Sequence, residues 1–262
     1  ELDKVNVGER VIRAAKQADG TYQNANAVFS KIELTTTKIR LDWEISTEAL
    51  EDNIEGAALE DHLVRLMTNA FANDLEDLAI NGDGSTAPFL SIMNGFVNRV
   101  TTEGSAHEAV VAVSNNEWSP EVLQKVLHAI PRKYRALKSG LKFYAGSDTF
   151  AGIVKNNGTL ANSIYTESFR DQWLSGQGQL VGEARQTRAL GIPVMEVPYF
   201  PDDYVELTFP QNRVWGFQRD VVVHREYKPK KDTIEYTVFV RFGIAWEELD
   251  AVAFADAASN PY

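Results

Sequence analysis

Thirty-seven carboxylates and four histidines are the groups this 262-residue chain offers for chemistry. The histidines, His62, His107, His128 and His224, are scattered, with no pair at helical metal spacing and no HExxH. The stretch NGDGS suggests a calcium loop. With Asn81 and Asp83 at the third and fifth loop positions, however, the first falls on Ala79 and the twelfth on Leu90, so both essential ligands are missing. GQGQLVG imitates a dinucleotide fingerprint, but after Gly176 and Gly178 the third glycine position holds Val181, and no strand–turn–helix context surrounds it. The stretch reads instead as a glycine-rich flexible loop. There is no GxSxG elbow, no Walker lysine and no cysteine. No cofactor and no metal are expected. A glycosidase needs two carboxylates across a cleft, and Glu44, Glu48, Glu51, Asp52, Asp74, Glu76, Asp77, Glu247 and Glu248 could supply them. Trp43, Trp118, Trp173, Trp215 and Trp246 could serve as sugar platforms. Most such acids are solvated helix faces and most tryptophans are core or interface anchors, so a carbohydrate-active enzyme is an alternative rather than the expectation.

Composition sets further bounds. With 44% hydrophobic and 24% charged residues the chain is an ordinary globular sequence, large enough for one big domain or two smaller ones. Absence of cysteine excludes a disulfide framework and permits a reducing compartment. No apolar run approaches the ~18 residues of a membrane span, and the N-terminus lacks a signal-peptide layout. The net charge of −11 argues against tight, non-specific binding of nucleic acid, so any such contact should be loose. The basic runs HREYKPKKD and PRKYRALK read as a charged hairpin turn and a solvated helix face.

The elements that would position these residues show themselves by period. Ile39, Leu41, Trp43 and Ile45 alternate with Lys38, Arg40, Asp42 and Glu44, as in a half-buried strand. After Ser46, a helix N-cap, the period lengthens to that of a helix from about residue 55 to 80, with Leu59, Leu63, Leu66, Ala70 and Phe71 as its expected core. Asn81 and Gly82 are expected to end it in the left-handed conformation. Ahead of the strand, a polar ribbon is expected, one arm at residues 7–17 and the other returning over 29–45. Asp19, Gly20, Tyr22, Asn24 and Asn26 stand at its tip. Such a polar hairpin cannot stabilise itself and must lie on something else. Beyond the helix, Ser119-Pro120 opens a second one with Val122, Leu123, Val126, Leu127 and Ile130 as its stripe. LKFYAG is a buried-type strand and residues 149–155 a short helix. Two short strands separated by prolines follow, then a long hairpin joined at KPKKD and a last strand in DAVAFA. The fold class is α+β.

The order of these parts is specific: a polar ribbon, WEISTEALED entering a long helix, AINGDGS, an α+β centre, LGIPVMEVPYFP and a terminal hairpin. Over essentially the whole chain it resembles the major capsid proteins of tailed bacteriophages, the Hong Kong 97-type fold. The resemblance is carried by Ile45 to Asp52, Ile80 to Gly84, and Leu190 to Val194 with Pro198 and Pro201, and more loosely by Arg241 to Phe254. It implies an N-terminal remnant and extended loop in residues 1–45, and a peripheral domain with a spine helix in 46–115. It also implies an axial domain in 116–210 and a long hairpin and terminal strand in 211–262. The implied function is a structural subunit of an icosahedral head that self-assembles into hexamers and pentamers around double-stranded DNA, without catalysis. The loop tip would be an intersubunit contact. The implied partners are further copies of the chain, a portal, a scaffold or maturation protease, and loosely held DNA, with no membrane. The implied location is the virion, assembled in the bacterial cytoplasm. An encapsulin-type shell is the nearer alternative. The family's N-terminal arm is expected to have been cleaved, shortened or left out. Lys16, Lys31 and Lys38 match no cross-linking position, so no cross-link is expected.

Overall fold

The computed structural model describes residues 2–7, 27–52, 58–84, 88–109, 118–154 and 188–256. Along the chain these hold β1 (Leu2–Val7), β2 (Ala27–Ile32), β3 (Thr37–Ser46), α1 (Thr47–Glu51), α2 (Ala58–Asn81), α3 (Phe96–Thr102), β4 (His107–Glu108), α4 (Pro120–Ala129), α5 (Arg132–Arg135) and β5 (Lys142–Ala145). A helical segment over 147–154 precedes β6 (Arg188–Ala189), β7 (Ile192–Glu196), β8 (Tyr204–Thr208), β9 (Arg213–Lys228), β10 (Thr233–Trp246) and β11 (Ala253–Asp256). The strands form three sheets: the pair β1-β2, the three-stranded β3-β10-β9, and the six-stranded β4-β11-β8-β5-β7-β6.

The six-stranded sheet is the compact half. Every residue of β8, at its centre, is buried. On α4 the stripe Val122, Leu123, Val126, Leu127 and Ile130 recurs with helical period, and it packs with Trp118 and Ile153 against Phe143, Val205 and Leu207. Phe143, Leu207, Leu123 and Ile130 are wholly buried, each contributing roughly 1.5–3 kcal/mol of burial.

The three-stranded half is thinner. In β10 the side chains Ile234, Tyr236, Val238, Val240 and Phe242 are buried and alternate with partly exposed ones, as the sequence period requires. β3 alternates likewise, from Lys38 exposed to Ile45 buried. Ser46 accepts a hydrogen bond from the Ala49 amide at 3.2 Å, which turns the strand into α1. At 24 residues and 1.5 Å per residue, α2 is about 36 Å long. Glu60 and Asp61 in its first turn suit the positive end of the helix dipole. It meets the sheet through two clusters, Leu63 and Val64 with Ile45, Ile234 and Tyr236, and Phe71 and Leu78 with Val238 to Ile244.

Three expectations change. The ribbon is not one continuous arm over 29–45: β2 pairs with β1, which already begins at Leu2, whereas β3 pairs with β10. Gly82 is not the left-handed residue after α2; Gly84 is, at φ 70°. Gly82 is needed for close approach, since a Cβ there would lie 2.2 Å from the Met93 carbonyl oxygen and 2.7 Å from that of Leu78. Third, Leu66 is 53% exposed and Ala70 is exposed, while Phe71 is buried and Leu59 and Leu63 are half-buried. Helical period alone cannot show how wide a sheet the helix covers. This one is three strands wide, and Leu66 lies roughly a third of a turn round from the Val64, Phe71 and Leu78 stripe.

Candidate assembly surfaces

The ribbon β1-β2 is an antiparallel ladder running from Leu2 opposite Ile32 to Val7 opposite Ala27. Its expected tip residues, Asp19, Gly20, Tyr22, Asn24 and Asn26, lie outside the described residues, as does the glycine-rich stretch from Gly176 to Gly182. Its root is well defined. Gly216 on β9 and Gly243 on β10 stand directly opposite each other, forming a bare saddle in the sheet. A Cβ on Gly216 would lie 1.9 Å from Leu34 Cδ2, and one on Gly243 would lie 2.3 Å from the Thr35 carbonyl oxygen. Residues 34–36 therefore lie across the saddle, and the Thr36 hydroxyl donates to Gln218 Oε1 at 2.8 Å. Glycine inside a strand is the sequence signal for such an approach.

The sheet face opposite α2 carries charge in ranks. Across it, Glu235 stands opposite both Glu44 and Glu226. Lysines of the hairpin turn neutralise that acidic rank: Lys231 Nζ lies 3.4 Å from Glu44 and from Glu235, and Lys228 Nζ 2.7 Å from Glu226. Six residues further along β10, Arg241 stands opposite both Lys38 and Arg219. Lys38 Nζ sits 4.3 Å above the Phe239 ring, and Arg241 donates to Gln218 at 3.4 Å. Among the described residues none of these three cations has an ion-pair partner; the nearby Arg40 is paired with Asp42 at 2.8 Å.

On the helix side, Glu60 ties α2 to the sheet, accepting hydrogen bonds from the Tyr236 hydroxyl and from Arg225 Nε, the latter at 2.7 Å. The Tyr236 bond, then Arg225, hold the Glu60 carboxyl below the ordinary glutamate range. Trp43 stacks on Tyr236 at 5.0 Å. Beyond this contact the helix leaves β9 uncovered. Trp215, Phe217, Val223 and Tyr227 pair with residues of β10 that face α2, so they share that face, and they remain exposed, Phe217 by 55%. They form an apolar strip on an edge strand of 16 residues. Long apolar edges of this kind invite a second chain.

Sequence reasoning did not single out the joint between the two halves. Arg213, the first residue of β9, places its guanidinium among Tyr144, Phe200, Trp246 and Phe96, 4.0 to 5.9 Å from their ring centroids. Its Nη2 lies 2.7 Å from Oε1 of Glu206, a residue of β8 that is wholly buried. Burial pushes the Glu206 carboxyl up against the pull of Arg213. Asn212 fastens the same joint, donating to the Glu248 carbonyl at 2.9 Å and accepting from the Glu248 amide at 2.7 Å. An isolated arginine before a strand carries no sequence signal for this role.

The residues considered for catalysis are dispersed. Glu44 is paired with Lys231, Asp77 accepts from Asn81, and Glu48, Glu51, Asp52 and Asp74 are exposed. His107 binds Asp250 at 2.9 Å; despite burial, bonds from Lys133 and His107 hold that carboxyl below its ordinary value. No group of three or more potential metal ligands exists among the described residues. Trp118 and Trp246 are buried, whereas Trp173 lies outside the described residues. No described helix is long and apolar enough to cross a membrane.

Comparison with known proteins decides the family. The model of the phage capsid family matches residues 4–256. The chain belongs to the phage capsid family. Among its capsid relatives is the putative prophage capsid protein YqbE of Bacillus subtilis strain 168, 23% identical, with 97% of this chain and 80% of that protein covered. A solved procapsid of satellite phage P4, which includes the size determination protein, superposes with a TM-score of 0.63 at 17% identity over 98% of this chain and 83% of its own. The SrpI encapsulin of Synechococcus elongatus PCC 7942 shares the fold at a TM-score of 0.57 and 16% identity, over 90% and 76% of the two chains. The α+β architecture is therefore the Hong Kong 97-type capsid fold, and the chain is a structural capsid subunit of a bacteriophage-type shell.

Proposed function

We propose that this chain forms the wall of an icosahedral phage head, joining copies of itself as hexamers and pentamers around double-stranded DNA, and that it catalyses nothing. The observation that carries this reading is the uncovered apolar strip Trp215, Phe217, Val223 and Tyr227 on β9, continuous with a sheet whose other half is well buried. A monomer gains nothing from such a strip; a lattice of copies covers it. The ribbon β1-β2, too narrow to be stable alone, would rest on a neighbouring subunit, its tip contributing Asp19, Gly20, Tyr22, Asn24 and Asn26. In these terms the three-stranded half with α2 is the peripheral domain, and the six-stranded half is the axial domain.

The chain's negative charge favours DNA that is confined rather than gripped. The shell would be assembled in the bacterial cytoplasm, with a portal and a scaffold or maturation protease as further partners. Negative-stain electron microscopy of the purified chain, with light scattering on the same sample, tests the reading. Closed shells, tubes or six- and five-membered rings are expected. A monomer that persists under assembly-promoting conditions, with its tryptophan fluorescence responding to sugars, would point to the enzyme alternative.

A further inference from the structure

We infer that the cation rank Lys38, Arg241 and Arg219 is a receptor for carboxylates of a second copy of the chain, supplied by Glu48, Glu51 and Asp52 of its α1. This rests on the shell reading above and names one contact within it.

Directly opposed like charges destabilise a sheet, and here one arginine is opposed by a cation on each side. The contrast with the glutamate rank is informative. That rank has its own lysines from the hairpin turn, while the three cations, all exposed and spanning about 10 Å across the strands, have no carboxylate among the described residues. Among the described residues nothing neutralises them, which leaves the rank open to an anion from a second copy. The same face also carries Asp42, Glu44, Glu226 and Glu235, which would repel a continuous phosphate backbone running along it. A short, discrete acidic segment fits the rank better than a polyanion.

The chain holds such a segment. Glu48, Glu51 and Asp52 are spaced i, i+3 and i+4, so they share one face of α1, and all three are exposed, while Leu50 packs inward against Ile45, Ile234 and Tyr236. None has an ion-pair partner among the described residues. α1 lies at the opposite end of β3 from Lys38, about 25 Å away along the strand, so it cannot reach the rank of its own chain. An acidic end on one copy and a basic end on the next make a head-to-tail contact, the kind that closes into rings.

The test is charge reversal in the full chain. Lys38→Glu, Arg219→Glu and Arg241→Glu together should leave the circular dichroism of the monomer unchanged and lower particle yield at least tenfold. Adding Glu48→Lys, Glu51→Lys and Asp52→Lys should restore most of the yield. Independently, since the chain has no cysteine, Lys38→Cys with Glu51→Cys should give a ladder of interchain disulfides when assembled particles are oxidised mildly. Normal assembly of the reversed chain, loss that the swap does not recover, or oxidised particles without interchain product would each overturn the inference. So would normal particles with reduced nucleic acid content, which would make the rank a polyanion contact. In the first and last cases the shell reading survives. An unaltered chain that stays monomeric removes both.

Discussion

The two sheets of this chain solve opposite problems. Around the six-stranded sheet, α4 and the 147–154 segment close an apolar core, and β8 has no exposed residue. Around the three-stranded sheet, one helix covers a central stripe and stops, leaving an apolar edge strand on one side and charged ranks on the other. The first half supplies stability that a lone chain can use. The second leaves apolar and charged surface exposed, which in the proposed shell a neighbouring copy would cover.

Changes in the closed half should cost the most. Phe143→Ala removes a wholly buried ring and should lower the monomer's unfolding free energy by about 3–5 kcal/mol, read by urea denaturation. Arg213→Ala should cost a similar ~3–5 kcal/mol, because it strands Glu206 as a buried, unpaired carboxylate; Arg213 and Glu206 replaced together by Met and Leu should lose far less. If Phe143→Ala unfolds the two sheets in one transition and Arg213→Ala in two, the joint couples the halves; one transition in both variants would show that the coupling does not run through Arg213.

A smaller effect is expected at the saddle. Gly243→Val would force the Leu34 to Thr36 segment off the sheet, with hydrogen exchange at residues 34–36 rising at least tenfold while the six-stranded sheet stays protected. Smaller still is the monomer's response to Trp215→Ser with Phe217→Ser, about 1 kcal/mol or less of stability because both side chains are already largely exposed, yet particle formation should fail. The least effect concerns acid. A carboxyl whose folded value is depressed, as that of Glu60 is, stabilises fully above its unfolded value near 4.3 and loses this as pH falls through the folded value. Glu60→Gln should therefore flatten the low-pH limb of the stability profile and leave the neutral region nearly unchanged in slope.

How much of this could be read from residues alone depended on range. Period revealed β3, α2, α4 and the β9-β10 hairpin, because each side chain's burial repeats within its own element. Leu66 and Ala70 defeated that logic, since the width of the covering sheet is set by strands far away in sequence. The Arg213 and Glu206 joint was invisible for the same reason: it joins two elements by charge inside an aromatic cage, with no repeating signature. A glycine inside a strand can mark a close approach, but nothing local to Gly216 and Gly243 says that Leu34 and Thr35 make it.

Hydrogen exchange compared between the monomer and assembled particles tests the division of labour most directly. Assembly through the three-stranded half predicts new protection at residues 213–228 and 37–46, with the six-stranded sheet equally protected in both states. New protection confined to the six-stranded sheet, with β9 exchanging as fast in particles as in the monomer, would contradict it.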